Sequence, residues 1–150
     1  MSITTRQAVL ADLEIIAELF DKYRQFYGCP SDISAARNFL LARFNHAESV
    51  IFLAYEESRA VGFTQLYPSL SSVSLARIFI LNDLFVDEQA RRKGVAARLL
   101  SAATDFASTL GAIRLSLSTA IDNETAQALY QAAGWTRDEQ FYSYNYAIQR

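Results

Sequence analysis

Residues 81–100, which read LNDLFVDEQARRKGVAARLL, constrain the fold of this chain more than any other segment. An apolar, strand-like run ends at Val86, and a short charged link leads into residues 91–97, the basic turn. An amphipathic helix follows through Leu110. The first backbone N–H groups of a helix have no internal partner and carry the positive end of its dipole. The segment therefore predicts a strand followed by a helix, with an anion-binding site at the turn between them.

Within the basic turn, Gly94 stands where an anion has to approach the backbone closely. Glycine has no side chain to obstruct a pyrophosphate at that point. Arg91, Arg92 and Lys93 add local positive charge to a chain whose formal net charge is -2. The alternative interpretation of the same residues is a solvated turn that only begins a helix.

Hydrophobic periodicity predicts the other elements. After Asp12, a candidate helix cap, apolar residues recur at three-four spacing as far as Tyr27, and a second helix is expected over about 34–44. Further helices are expected over 95–110 and 123–133, and residues 68–74 are expected to form a loop. Strands are expected over 3–6, 49–55, 60–66, 76–86, 113–118, 135–136 and 141–148. The order β-α-α-β-β-β-α-β-α-β-β predicts a single α/β domain over residues 1–150.

Composition excludes several classes of protein. No apolar run is long enough to span a bilayer, and the N-terminus lacks the layout of a secretory signal, so we expect a cytoplasmic protein that binds no membrane. The only cysteine, Cys29, excludes an internal disulfide, and the only histidine, His46, leaves no histidine cluster for zinc. With 14 basic and 16 acidic residues, the chain carries no electrostatic footprint for nucleic acid.

Two motifs resemble the signatures of a known superfamily. The first is Arg91-x-x-Gly94-x-Ala96 after a strand that ends in valine. The second runs from Asn123 through Leu-Tyr-x-x-x-Gly-Trp, in which the tyrosine is Tyr130. In order and spacing they are similar to the acyl-CoA signature and the Asn…Leu-Tyr-x-x-x-Gly-Phe/Trp segment of the GNAT superfamily of N-acetyltransferases. The resemblance implies the GNAT fold, a mixed and mostly antiparallel sheet of six to seven strands with about four helices. It also implies acetyl-CoA as the cosubstrate and no metal.

The resemblance also implies which residues bind the coenzyme. The backbone at the end of the strand pairs with the pantetheine arm, and one of its N–H groups polarises the thioester carbonyl. The backbone of the basic turn holds the phosphates, and Asn123 contacts a pantetheine amide, although Asn123 is equally suited to an N-cap. The residues implied in coenzyme binding are Leu84, Phe85, Val86, Arg91, Arg92, Lys93, Gly94, Val95, Ala96, Ala97, Asn123 and Tyr130.

Two residues are candidates for acid–base catalysis. The resemblance places the phenol of Tyr130 near the thioester sulfur, where it protonates the departing thiolate; the alternative is an aromatic side chain that packs on an amphipathic helix. Asp83 lies near the end of an apolar strand, where an unpaired carboxylate would be costly to bury. It is a candidate base or a ligand for a cationic substrate. The segment LNDLFV resembles spermidine/spermine N-acetyltransferases, with Asn82 in place of the first acid of their acidic pair.

Substrate contacts are expected from the first helix and the loop that follows it. Tyr23, Tyr27 and Asp32 suit an aromatic and acidic mouth for an ammonium group. Alternatively, Tyr23 and Tyr27 belong to the apolar stripe that faces the core.

Together these features predict an enzyme that transfers an acetyl group from acetyl-CoA to a primary amine of a small molecule, by direct attack in a ternary complex. Acetylation of a protein or peptide is one alternative, and a non-catalytic acyl-CoA sensor is another. A homodimer is expected because dimers are common in the superfamily and the tyrosine-rich last strand is suited to pairing across a two-fold axis.

Overall fold

The structure, a computed structural model, describes residues 2–150, which divide after Ser118 into two compact units. The first unit contains three α-helices, α1 (Leu13–Phe26), α2 (Ile33–His46) and α3 (Val95–Thr109). Its strands are β1 (Ile3–Gln7), β2 (Val50–Glu56), β3 (Arg59–Ser71), β4 (Ala76–Val86) and β5 (Leu115–Ser116). The second unit contains α4 (Glu124–Ala132).

The five strands form one sheet in the order β1-β2-β3-β4-β5. The first three pairs are antiparallel, and β4 and β5 are parallel. This arrangement confirms the prediction of a mixed, mostly antiparallel sheet with four α-helices in the described part of the chain.

The helices of the first unit cover both faces of the sheet. On one face, α1 and α2 pack through Ile16 and Leu40 against a core that includes Leu53 of β2. On the other face, the ring of Phe106 in α3 contacts the ring of Phe52, which alternates with Leu53 along β2. At Gly62, an added Cβ would lie 2.7 Å from the carbonyl oxygen of Phe85, so only glycine lets β3 approach β4 this closely beneath α3.

The prediction of six to seven strands is wrong, because residues 135–136 and 141–148 form no strand in the described chain. A strand needs a hydrogen-bonded neighbour, and alternation of side chains cannot supply one. The side chains of Phe141, Tyr142 and Tyr144 are 77%, 91% and 91% exposed, so this alternating run buries no apolar face. The backbone N–H groups of Gln140 and Phe141 donate instead to the carboxylate of Asp138.

Two other predicted boundaries differ from those observed. The expected loop at 68–74 is largely strand, because β3 continues to Ser71 and Pro68 pairs with Phe79. A proline fits there because the register between β2 and β3 ends at Leu66, which leaves that edge of β3 without a strand partner. The expected strand at 113–118 shortens to β5, which pairs with β4 at only two positions.

The second unit begins with a capped helix. The side-chain oxygen of Asn123 accepts a hydrogen bond from the backbone N–H of Ala126 at 3.1 Å, which is an N-cap at the start of α4. After the helix, the ring of Trp135 lies 6.0 Å from that of Tyr130. The single-domain organisation remains a prediction.

Candidate active site

A β-bulge in β4 positions Asp83. Gln65 of β3 pairs with Asp83, whereas the next residue, Leu66, pairs with Leu81, so Asn82 is an extra residue in β4. Bulges redirect side chains, and they are common next to active sites. Here the bulge leaves Asp83 directly opposite Gln65 with its side chain buried in the sheet, while Asn82 is exposed.

The carboxylate of Asp83 is buried and surrounded by neutral donors. Only 3% of the residue is exposed. The amide of Gln65 donates to Oδ2, and the amide of Asn82 donates to Oδ1 at 3.0 Å. Burial raises the pKa of Asp83 above the usual range of a carboxyl, and the bonds from Gln65, Asn82 and Tyr23 oppose that rise. We use the name Asp83 cluster for Asp83, Gln65, Asn82, Tyr23 and Tyr67, the last of which is described below.

Tyr23 and Tyr67 are the phenols of the Asp83 cluster. Burial first, and then the charge of Asp83, raises the pKa of Tyr67 to about 12. The same two causes raise the pKa of Tyr23, whose hydroxyl also lies 3.4 Å from the carbonyl oxygen of Asn82. Both phenols therefore stay protonated at neutral pH, and the hydroxyl of Tyr23 donates a hydrogen bond within the cluster.

The structure brings Tyr23 and Asp83 together but gives Tyr27 and Asp32 other surroundings. The ring of Tyr23 packs edge-on against Phe63 at 5.7 Å, so it is a core residue as well as a neighbour of Asp83. Tyr27 is 64% exposed and contacts the ring of Tyr23 at 5.1 Å. Asp32 caps α2 by accepting the backbone N–H of Ala35 at 3.0 Å. The substrate roles of Tyr23, Tyr27 and Asp32 remain predictions.

The end of β4 offers a free backbone edge. On the side away from β3, β4 pairs with β5 only at Phe79 and Ile80. Residues 84–86 therefore have no strand partner on that side among the strands of the described chain. An unpaired edge of this kind can receive an extended ligand in the same way as it would receive another strand. The predicted pantetheine contacts lie on this edge.

The basic turn forms a cradle of backbone N–H groups. Arg92 and Gly94 both adopt left-handed backbone conformations, with φ of 65° and 78°. The N–H groups of residues 92–97 donate to no acceptor within residues 2–150. An added Cβ at Gly94 would meet no atom within 4 Å, so this face of the turn is open. Consecutive free N–H groups at a helix N-terminus are suited to bind a phosphate.

The side chains of the basic turn are partly engaged elsewhere. Lys93 forms an ion pair with Glu56 at 2.9 Å, which ties the turn to the end of β2 and compensates the charge of the lysine. Arg91 donates from Nε to the carbonyl oxygen of Val86 at 3.1 Å. Arg92 forms no ion pair with any residue that the structure describes. The cradle therefore depends on its backbone more than on its cations.

Sequence reasoning missed Gln65 and Glu56. Gln65 is fully buried, and the signal for it was an amide inside the apolar run of β3. Glu56 gave no such signal, because a glutamate at the end of a strand before a turn is ordinarily a surface residue. Asn123 and Tyr130 lie on the second unit, and their contacts with the coenzyme remain predictions.

Comparison with known proteins identifies the family. Residues 15–135 match the model of the acetyltransferase (GNAT) family. The chain belongs to the GNAT family. It is 50% identical over 139 residues to the uncharacterized N-acetyltransferase YhfO of Bacillus subtilis (strain 168), covering 93% of each chain. It is also 32% identical over 90 residues to the D-amino-acid N-acetyltransferase HPA3 of Saccharomyces cerevisiae, covering 60% of this chain and 56% of that protein.

Structural comparison agrees with this assignment. The crystal structure of a probable acetyltransferase superposes with a TM-score of 0.92 at 47% identity, covering 100% of this GNAT chain and 99% of the other. The family uses acetyl-CoA as cosubstrate, and the protein is an acyl-CoA-dependent acetyltransferase. These relatives give no support to the likeness with spermidine/spermine acetyltransferases.

Residues 2–150 contain neither a cluster of metal ligands nor a helix that could span a membrane. No group of three or more histidine, cysteine, aspartate or glutamate side chains there is arranged to hold a metal ion. No helix in the same range has the length and apolar character needed to span a membrane.

Proposed function

We propose that this GNAT enzyme transfers the acetyl group of acetyl-CoA to a primary amine of a small molecule, by direct attack within a ternary complex. The main support is the placement of three features along one stretch of chain. A buried carboxylate at Asp83, a free strand edge at 84–86 and an N–H cradle at 92–97 follow one another. They correspond to the acidic group, the thioester site and the phosphate site that such a reaction requires.

In the proposed reaction, the chain holds the thioester and moves two protons. Backbone N–H groups at the free edge of β4 stabilise the charge that develops on the thioester carbonyl oxygen. A C–N bond forms as the C–S bond breaks. A cationic acceptor first loses a proton to water, which frees the lone pair of its nitrogen for attack. Asp83 then receives the second proton from the attacking nitrogen, and Tyr130, assigned by its motif, gives a proton to the departing thiolate. Solvent afterwards takes the proton from Asp83 and restores the proton of Tyr130. Asp83 is suited to accept the second proton because its raised pKa makes it a stronger base than an exposed carboxylate.

We infer that the acceptor is cationic before it reacts. The charge of Asp83 attracts an ammonium group, and Tyr27, the residue directly after α1, presents an exposed aromatic ring beside that of Tyr23. Because one yeast relative is named as a D-amino-acid N-acetyltransferase, both D- and L-amino acids belong in a substrate panel.

A coupled assay of thiol release, corrected for hydrolysis of acetyl-CoA, tests this proposal. The panel comprises a polyamine, D- and L-amino acids, an aminoglycoside, a neutral amine and a peptide with a free N-terminus. Turnover with at least one small cationic amine, well above that with the peptide, is expected. Turnover with the peptide alone would favour peptide acetylation, and tight acetyl-CoA binding without any turnover would favour a sensor.

We also propose that the enzyme is a homodimer. The uncharged run at 141–147 with its exposed aromatic side chains supports this, because its side chains alternate as in a strand and it has backbone groups to which a second chain can pair. Sedimentation of the full chain and of a chain truncated after Gln140 tests it. A dimer that becomes monomeric on truncation is expected, and a monomeric full chain would contradict it. The cytoplasmic location remains a prediction.

A further inference from the structure

Among the described residues, the carboxylate of Asp83 has no cationic partner. No ion pair includes it, and its three side-chain partners are the neutral groups of Gln65, Asn82 and Tyr23. A buried carboxylate without a cation depends on such donors for both its orientation and its charged state. The donors therefore decide what Asp83 can do.

Gln65 differs from the other two donors. Asn82 and Tyr23 are accessible to solvent, whereas Gln65 is 0% exposed. Its amide N–H group donates to Oδ2 of Asp83, and its amide oxygen has no hydrogen-bond partner within the described chain. Within residues 2–150, Asp83 is thus the only residue with which this side chain forms a hydrogen bond.

The backbone fixes this contact. Gln65 and Asp83 are register partners directly across β3 and β4, immediately beside the bulge at Asn82. Next to Gln65, the hydroxyl of Thr64 donates to the backbone carbonyl oxygen of Asp83 at 2.8 Å. Consecutive residues of β3 therefore hold the backbone and the side chain of Asp83 separately.

Packing alone does not explain why a buried amide occupies position 65. An acceptor buried without a partner destabilises the fold, and a methionine of similar length would fill the same space without that cost. An amide has one property that methionine lacks. It donates a hydrogen bond to a charged carboxylate and, after turning by about 180°, accepts one from the protonated form.

We propose that Gln65 is a positioning residue that holds Asp83 in catalytic orientation through both of its protonation states. The inference rests on the proposed role of Asp83 as the base. In the charged state, the N–H group of Gln65 orients the carboxylate and stabilises its charge. After proton uptake, the amide oxygen accepts the new O–H group, so that Asp83 keeps its place until the proton leaves.

Replacement of Gln65 by methionine tests the inference, with Thr64→Val as a matched control that removes a neighbouring buried hydrogen bond to the backbone of Asp83. The measurement is the pH profile of kcat/KM for the best amine of the panel, with acetyl-CoA affinity measured in parallel. Q65M is expected to lower kcat/KM at least about tenfold. It is also expected to move the acidic limb to higher pH, because the N–H bond that opposes the raised pKa of Asp83 is lost.

Thr64→Val is expected to lower the unfolding temperature but to leave the acidic limb and the acetyl-CoA affinity in place. A Q65M enzyme with the rate and acidic limb of wild type would overturn the inference. An equal shift in T64V would also overturn it, because the effect would then belong to the bulge as a whole. If Q65M does not fold, Gln65→Asn, which withdraws the amide by one methylene, carries the same expectation.

Asp83→Asn separates failure of this inference from failure of the proposed function. If D83N retains full kcat/KM, Asp83 is not the base and the proposed function is wrong at that residue. If D83N loses activity while Q65M does not, the base stands and only the positioning role of Gln65 fails.

Discussion

The Asp83 cluster and the basic turn meet different chemical requirements by different means, although Asp83 itself lies only eight residues before Arg91. The cluster uses side chains, with Gln65 fully buried, around a carboxylate that is 3% exposed. The turn uses exposed backbone, with left-handed residues at 92 and 94 and with Lys93 engaged by Glu56. Side chains thus serve proton transfer, for which the pKa matters, and backbone serves anion binding, for which geometry matters.

The largest expected effect tests whether the backbone of the basic turn binds acetyl-CoA. Gly94→Val places a branched side chain on the open face of the basic turn and is expected to weaken acetyl-CoA binding at least about 100-fold. Gly111→Val is a matched control, because Gly111 has a similar φ of 74° and also has no neighbour within 4 Å of an added Cβ. Both variants lose stability from strain of about 1–3 kcal/mol.

Calorimetric titration of the two folded variants with acetyl-CoA is the measurement. Equal affinities in G94V and G111V would show that the turn is not where the coenzyme binds.

The next effect concerns the chemical step and not the binding of acetyl-CoA. Tyr130→Phe removes only the phenolic hydroxyl and is expected to lower kcat by about 100-fold while the affinity for acetyl-CoA changes little. Pre-steady-state measurement of thiol release distinguishes a slow chemical step from slow product release. Unchanged turnover would leave Tyr130 as a packing residue of α4.

A smaller effect distinguishes the contributions of Arg92 and Lys93 to acetyl-CoA binding. Arg92→Met removes a charge that no described acidic residue pairs with, and it is expected to weaken acetyl-CoA binding by about tenfold at low salt, with less effect at high salt. Lys93→Met is expected to weaken binding less than about threefold, because the ammonium group of Lys93 is held by Glu56 and does not reach the phosphates directly. Titrations at two ionic strengths provide the test. A stronger effect at Lys93 than at Arg92 would contradict the view that the ion pair occupies the lysine.

The smallest effect is on stability. Because burial raises the pKa of Asp83, the folded chain holds a proton there at pH values where the unfolded chain has lost it. The contribution of Asp83 to stability therefore falls as pH rises from the usual carboxyl pKa through the raised one. Asp83→Asn is expected to unfold at a temperature at or above that of wild type at pH 7, and to lose this advantage in acid. Thermal unfolding at both pH values tests it, and a lower unfolding temperature for D83N at pH 7 would contradict it.

Sequence reasoning succeeded where local chemistry decides the structure. The strand–turn–helix unit around Gly94 and the N-cap at Asn123 follow from propensities and glycine geometry, which act over a few residues. It failed where the structure depends on a partner that is distant in the sequence. The alternation of Tyr142, Tyr144 and Tyr146 predicted a strand, but no neighbouring strand is present to pair with it in the described chain.

The same distinction applies to the site. Asp83 was recognisable as an acid in an apolar strand, but its partner Gln65 was not, because the bulge at Asn82 sets the register that brings them together. Likewise, the charge of Lys93 was predicted to serve an anion, and only the fold shows it paired with Glu56.

The role of Asp83 as the base that accepts a proton from the attacking nitrogen is the part of the proposed reaction on which the rest depends. Steady-state kinetics of wild type and Asp83→Asn against a cationic and a neutral amine, with acetyl-CoA affinity as the internal control, test this role. We expect a loss of kcat/KM of at least about 100-fold for both amines with unchanged acetyl-CoA affinity. A loss confined to the cationic amine would reduce Asp83 to recognition, and full activity of D83N toward both amines would contradict the claim.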